Sequence, residues 1–454
     1  MSGRGGVPAT PPPGGVAGPD VAVAPELVTP AQANRVWAGV GLRSFGGPTA
    51  QIALMHRVLV DERRWLSESE FLDALGFCML LPGPEAMQLA TYAGWKLHGV
   101  PGGLVAGLWF VLPGAAVVLA LSLVYATFGH VPLIVAAFAG IKATVLVLVV
   151  EAMLRIGRRA LTGPRQIGVA AGSLLALGLF SVPYPLIVLA AGLLGWAWSA
   201  AERARAAAPS RPDPVPLGST LATVGTWLAV WVLPLLGLAA ILGPSHILAQ
   251  LAWFFSKLAV VTFGGAYAVL GYMSQDVVTR HGWLTAGQML DGLGLAETTP
   301  GPLILVTEFV GTVAAHRAHP EAPLAMGLLG AAVALWATFV PCFLWIFAGA
   351  PHIASIRQWP RLQGALAAIT SAVLGVISSL ALWFSVHTLF ARTETLHAGP
   401  AHLLIPRPES VEPRMLALAA LSAVLLMRLR WSVQRVIAVA AALSLLWQLA
   451  LRPL

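Results

Sequence analysis

Apolar stretches of roughly 17 to 25 residues recur along this chain, each long enough to cross a hydrocarbon core of about 30 Å as a helix. They run from Gly103 to Thr127, Val131 to Met153, Leu221 to Leu242, Leu324 to Ala348 and Leu362 to Trp383, with a shorter run from Met415 to Met427. The runs are continuously apolar, whereas membrane barrel strands alternate in segments of about ten residues. Backbone in lipid must satisfy its own hydrogen bonds, so the expected architecture is an all-α polytopic membrane protein. Composition agrees, since 10% of residues are charged against about 25% in an ordinary soluble domain. The net charge of +8 does not call for a nucleic-acid partner, because the arginines cluster in short segments between apolar runs and read as a topology signal. Cys78 and Cys342 both sit in apolar segments, which leaves no disulfide framework and no Cys-ligated metal site, and no cofactor is implied. Residues 1–30, rich in Gly, Pro and Ala, read as a disordered tail rather than a secretory signal.

An internal repeat organises the rest. Phe45-Gly46-Gly47 recurs as Phe263-Gly264-Gly265, 218 residues on. The same offset pairs Trp65-Leu66 with Trp283-Leu284, Leu72-Asp73 with Leu290-Asp291, and Pro82-Gly83-Pro84 with Pro300-Gly301-Pro302. An ungapped register that keeps Gly, Pro, Trp and Asp is far more specific than shared hydrophobicity. The organisation expected is therefore a first repeat over 31–200, a linker over 201–220, a connecting transmembrane helix over 221–244 and a second repeat over 245–454.

One odd span between two copies turns the second copy over. Arg155, Arg158, Arg159 and Arg165 are expected between two spans of unit one, where unit two has only Arg392, while Arg357 and Arg361 occupy a loop whose counterpart lacks basic residues. Under the positive-inside rule the Arg155 and Arg357 loops, the linker and the N-terminus are cytoplasmic. Arg57, Arg63 and Arg64 stay inside if the segments carrying the FGG and PGP triplets are broken or re-entrant helices; two full crossings would put them outside.

The segments FGGPTAQIALM (45–55), RRWLSESEFLDAL (63–75) and LLPGPEAMQLATYAG (80–94), with the FGG…PGP copy in unit two, resemble the chromate transporter family of bacterial inner-membrane proteins in its two-unit form. The resemblance covers most of the chain, from about Ala33 to Trp383. It implies export of chromate, a tetrahedral dianion resembling sulfate, driven by the proton gradient across the bacterial inner membrane. Gln51 stands where many members have His, and Ala266-Tyr267 follows the second triplet where a third Gly is frequent.

A dianion in a bilayer needs positive potential without a tight cage. The N-terminus of a broken helix supplies unpaired N–H groups and about half a positive charge. Pro82 and Pro84 cannot donate backbone hydrogen bonds, Gly83 permits close approach, and Glu85 would open the following half-helix. Plain kinks or packing points would use the same triplets. The candidate oxyanion contacts are Arg43, Ser44, Gly46, Gly47, Gly264 and Gly265 around FGG, and Pro82, Gly83, Pro84, Pro300, Gly301 and Pro302 around PGP. Gln88 and Thr299 are neutral donors beside them. Lys142, in an apolar run at Phe138 to Thr144, is a further candidate, with snorkelling as the alternative, and a Gly-Ile-Lys stretch is what the resemblance implies there. Arg43 could also anchor to headgroups. Proton coupling needs a carboxyl that alternates between charged and neutral, for which Glu85, Glu297 and Glu308 are the candidates; Asp73 and Asp291 read more readily as caps or anchors.

No phosphate-cradling Gly-Lys-Ser/Thr loop is present, which argues against a built-in ATPase, and no clustered nucleophile or metal set supports an intramembrane enzyme. The expected partners are chromate, protons and the lipid bilayer. A sulfate or other oxyanion permease is the alternative, and association into a homodimer stays open.

Overall fold

The computed structural model describes residues 28–202, 216–263, 266–353, 359–399 and 401–450. The N-terminal tail through residue 27, most of the linker, Gly264, Gly265 and Arg357 lie outside the described residues.

Unit one opens with α1 (Pro30–Leu42), started by a capping box between Thr29 and Gln32. After Gly46, at φ +86°, comes α2 (Gly47–His56), continued by a π turn over Arg57–Glu62. A second capping box, Ser67 with Glu70, starts α3 (Glu68–Cys78). The PGP triplet then leads into α4 (Glu85–Phe128), whose first residue is the expected Glu85. Next come α5 (Pro132–Ala160), α6 (Pro164–Gly178) and α7 (Tyr184–Glu202), and beyond the linker α8 (Leu217–Leu242).

Unit two repeats the opening in detail. It has α9 (Ile247–Val261), then α10 (Ala266–Gln275) continued by a π turn over Asp276–Arg280, and α11 (Ala286–Thr298) behind a capping box of Thr285 with Gln288. That cap lies 218 residues beyond Ser67 and Glu70. After Pro302, a 3-10 turn (Leu303–Leu305) precedes α12 (Val306–Ala318), followed by α13 (Pro323–Gly349) and α14 (Pro360–Leu389). A small antiparallel hairpin, β1 (Thr393–Ala398) with β2 (Ala401–Pro406), precedes α15 (Pro413–Ala423) and α16 (Val433–Ala450).

Six helices among the described residues are long and apolar enough to cross a membrane, α4, α5, α8, α13, α14 and α16, so the chain is an all-α polytopic membrane protein. One feature departs from the sequence reading: the hairpin over 393–406 is β structure that the helical pattern did not foresee. α16 is a span beyond the apolar runs named from the sequence.

The triplet-bearing segments double back. Across the first FGG, the Trp37 and Trp65 rings lie 6.2 Å apart; across the second, Phe254 sits 5.4 Å from His281. Across the first PGP, Lys96 on α4 reaches Glu70 on α3 at 2.5 Å. α4 itself reverses at His98 and Gly99, the latter at φ 63° and ψ −155°, with Pro101 in the first turn of the returning half, where a missing N–H costs nothing. The two halves of α4 then touch backbone to backbone, since a Cβ on Gly94 would stand 2.3 Å from the Gly102 carbonyl oxygen. α12 and α13 meet in the same way through Gly311 and Gly330. Small residues at such crossings replace the hydrophobic drive that lipid removes. Gly330→Val is therefore expected to cost at least the 1–3 kcal/mol or so typical of overpacking, seen as lost monodisperse protein on size-exclusion chromatography; an unchanged profile would contradict this contact.

Candidate functional site

The two triplet motifs of one unit bond to those of the other. The Gly83 N–H donates to the Thr262 carbonyl at 2.8 Å, and the Gly301 N–H donates to the Ser44 carbonyl at 2.8 Å. Ser44 and Thr262 occupy equivalent positions, as do Gly83 and Gly301, so the contact is reciprocal, as in a two-fold interface. Both hydroxyls are buried and turned onto their own helices, Ser44 Oγ to the Val40 carbonyl at 2.7 Å and Thr262 Oγ1 to that of Leu258 at 2.5 Å. The glycines make the approach possible. Gly83 (φ +120°) and Gly301 (φ +91°) adopt backbone conformations that side chains disfavour. The long helices cross directly over the triplets: a Cβ on Gly114 would sit 2.1 Å from the Pro300 carbonyl oxygen, and one on Gly83 3.0 Å from Cys342 Sγ.

Two buried amides lock this centre. Gln51 Nε2 donates to the Gly301 carbonyl at 2.7 Å and to that of Ser44 at 3.2 Å, while Gln88 Nε2 donates to the Pro82 carbonyl at 2.7 Å. Gln51 Oε1 and Gln88 Oε1 are buried with no hydrogen-bond partner.

Beside the first PGP triplet lies a cavity of about 480 Å³. Pro48 and Thr49 at the start of α2, Gly83 and Glu85, Arg155 and Arg159 on α5, Tyr267 on α10 and Thr370 on α14 contribute to its wall. The volume is far larger than the roughly 30 Å³ share of one water and leaves room for a tetrahedral oxyanion. Arg155 donates from Nη1 to Thr49 Oγ1 at 3.1 Å and lies 3.4 Å from Glu151, with its side chain 41% exposed. Tyr267, itself in the second unit, donates to Glu297 Oε1 at 2.5 Å and so ties that acid to the cavity wall. A larger hollow of about 620 Å³ between α6 and α7 is almost wholly apolar, with Arg165 its one charged lining residue, and suits lipid tails better than a dianion.

The sequence candidates divide around this centre. Gly83 and Glu85 line the cavity, and Gly47 stands near it, with Tyr267 Oη 4.0 Å from where its Cβ would be. Gly46 caps α2, Pro82 and Pro84 flank Gly83, and Pro300 and Pro302 frame the second triplet under α4. Thr299 caps α11 and turns its hydroxyl to the Ala296 carbonyl at 3.3 Å. Arg43 points away, its Nε donating to the Gly39 carbonyl at 2.8 Å on the exposed side. Lys142 does not line the cavity. It lies 3.3 Å from Asp291 Oδ2, which also accepts from Tyr125 Oη at 2.7 Å. Asp291 is thus a buried ion-pair partner in addition to being a helix residue. Glu308 is fully buried on the first turn of α12, and neither of its carboxyl oxygens has a hydrogen-bond partner; Glu85 Oε2 is in the same condition.

Arg155, Arg159 and Tyr267 were not singled out as site residues from the sequence. The arginines were expected in a loop but sit on the last turns of α5, at 155 and 159 on one face. That i, i+4 spacing is the signal that could have found them. No group of three or more His, Cys, Asp or Glu able to hold a metal ion occurs among the described residues.

Comparison with known proteins gives the family. The model of the chromate transporter family matches residues 31–196 and 249–446, two blocks that leave out the linker and α8. A chromate transport protein of Cupriavidus metallidurans is 28% identical over 387 residues, covering 84% of this chain and 89% of its own length. One of Pseudomonas aeruginosa is 34% identical over 344 residues, covering 75% and 77%. An uncharacterized transporter of Bacillus subtilis, YwrA, is 30% identical over 157 residues, which is 88% of its length but 34% of this chain. No solved structure matches.

Proposed function

Since this chain belongs to the chromate transporter family, whose members are membrane transport proteins and not enzymes, we propose that it exports chromate across the bacterial inner membrane in exchange for protons. The observation that carries this reading is the cavity in which Arg155 and Arg159 face the first PGP and FGG segments. Two guanidinium groups in a partly desolvated pocket offer a tetrahedral dianion paired N–H donors, and Thr49 and Tyr267 add neutral hydroxyls. The oxyanion role expected of Lys142 passes to these arginines.

In this reading the two units are inverted repeats and the triplet-bearing segments re-enter the membrane, which keeps Arg57, Arg63 and Arg64 on the cytoplasmic side together with the N-terminus and the end of α5. The cavity then opens toward the cytoplasm, where an exporter loads. Glu308 and Glu85 carry the protons, because a buried carboxyl oxygen without a hydrogen-bond partner, as both are in Glu308 and Oε2 is in Glu85, is tolerated when the group is neutral and must find water or a cation when it is charged. Glu297, tied through Tyr267 to the cavity wall, relays occupancy of the site to the second unit.

Everted membrane vesicles from cells producing the protein test this directly. Chromate should accumulate when an inside-acid proton gradient is imposed and stop accumulating when the gradient is collapsed. Accumulation indifferent to the gradient would remove the coupling, and sulfate accumulating in place of chromate would change the substrate.

A further inference from the structure

Away from the central cavity, α8, α9 and the π turn after α10 enclose two connected hollows. The outer one, about 420 Å³, is lined by Lys257, Arg280 and His281, with Gln250, Trp253 and Asp276 beside them. The inner one, about 390 Å³, runs between α8 and α9 and is lined by Trp231, Leu235, Leu236, Trp253, Val260 and Val261. Ala239, Ala249, Trp253 and Lys257 belong to both, so the basic pocket opens straight into the apolar groove.

We infer that this is a binding site for one anionic phospholipid, its headgroup phosphate in the basic pocket and one acyl chain in the groove. Three observations carry the assignment. The first is charge. Lys257 and Arg280 outnumber the single acid, and Asp276 is partly engaged already, 4.0 Å from Arg280. Lys257 Nζ lies 5.3 Å over the Tyr272 ring and has no carboxylate partner within salt-bridge distance among the described residues. The second is shape. The outer pocket gathers Lys257, Arg280 and His281, and the hollow that continues from it toward Val260 and Val261 on α9 and Trp231 and Leu235 on α8 is apolar apart from Ser256 and the shared Lys257. Basic and apolar linings thus divide one connected space, as phosphate and tail divide a lipid. The third is the state of α8, which is the least buried of the long helices, fixed to α13 by hydrogen bonds between Trp231 Nε1 and the Ala337 carbonyl and between Trp336 Nε1 and the Trp231 carbonyl, each 3.2 Å. Trp231 lines the groove as well, with Val232, Leu235 and Leu236, so α8 forms one of its walls, and Trp253, 76% exposed, stands at its rim.

The site is separate from the transport cavity and shares no lining residue with it. Its place on α9, which ends at the second FGG segment, lets a bound lipid brace that segment from outside.

Purified protein in detergent, examined by native mass spectrometry after mixing with phosphatidylglycerol or phosphatidylcholine, decides the matter. Wild type is expected to keep one phosphatidylglycerol under activation that strips phosphatidylcholine. Lys257→Gln with Arg280→Gln should weaken that retention by roughly fivefold for each charge removed, and Leu235→Trp, which fills the groove without altering charge, should weaken retention of both lipids. Equal retention of the two lipids by wild type, or retention of phosphatidylglycerol by the charge variant at the wild-type level, overturns the assignment. So does displacement of the lipid by inorganic sulfate alone, which would mark a free oxyanion site. If the charge variant does not stay monodisperse, Leu235→Trp settles the question: unaltered lipid retention there rejects the groove.

Discussion

Arg155→Ala is expected to cut the initial rate of chromate accumulation in everted vesicles by roughly ten- to a hundredfold at equal protein in the membrane. A hydrogen bond to a charged group is worth about 1.5–3 kcal/mol, and Arg155 is the cavity cation best placed to make one, held between Thr49 and Glu151 at the end of α5. Arg155→Lys should recover only part of the rate, since an ammonium cannot present the planar fork that meets two oxyanion oxygens. The loss should fall mainly on the chromate concentration giving half-maximal rate. A normal rate in Arg155→Ala would mean that the dianion does not pass this cavity.

Lys142→Ala is expected to act on stability first. Removing one member of a buried pair strands the other, at a typical cost of about 3–5 kcal/mol, and Asp291 is 3% exposed. The variant should lose several degrees or more of thermal stability in detergent. Lys142→Met combined with Asp291→Asn should regain much of that loss, because the stranded charge is gone. If instead Lys142→Ala is as stable as wild type but fails to transport, the lysine is a substrate contact after all, as the sequence alone led one to expect. A full loss of stability in the double variant would mean that packing around Tyr125, rather than the ion pair, holds α5 to α11.

The reading from sequence succeeded where the signal was local or periodic. The apolar runs gave the spans, and the triplets, through their 218-residue spacing, marked where helices break. Glu85 was expected to open a helix and does so. It fell short where the deciding partner is distant along the chain. Nothing near Lys142 announces Asp291, which lies 149 positions later, and nothing near Gln51 announces the Gly301 carbonyl. Arg155 and Arg159 were read through the topology rule, which asks only which side of the membrane a charge is on; whether such a charge lies in a loop or on the last turns of a helix depends on packing against α2 and α14. α16 is a less continuous apolar run than the other spans, because Gln434, Arg435, Ser444 and Gln448 interrupt it, although Ser444 is satisfied by donating to the Ala136 carbonyl at 2.5 Å on α5.

The paired bonds from Gly83 to Thr262 and from Gly301 to Ser44 have a bearing on how the molecule is assembled. Each unit's PGP glycine is satisfied by the other unit, beside the bonds that Gln51 and Gln88 make within their own, so the centre as observed needs both. A stretch of chain joining α7 to α8 then serves as a tether: it holds the two partners at high effective concentration and in one-to-one ratio, turning what would be a bimolecular association into an intramolecular one. Once the halves are tied, selection no longer has to keep them alike, and Arg155 and Arg159 can line the cavity from one unit alone.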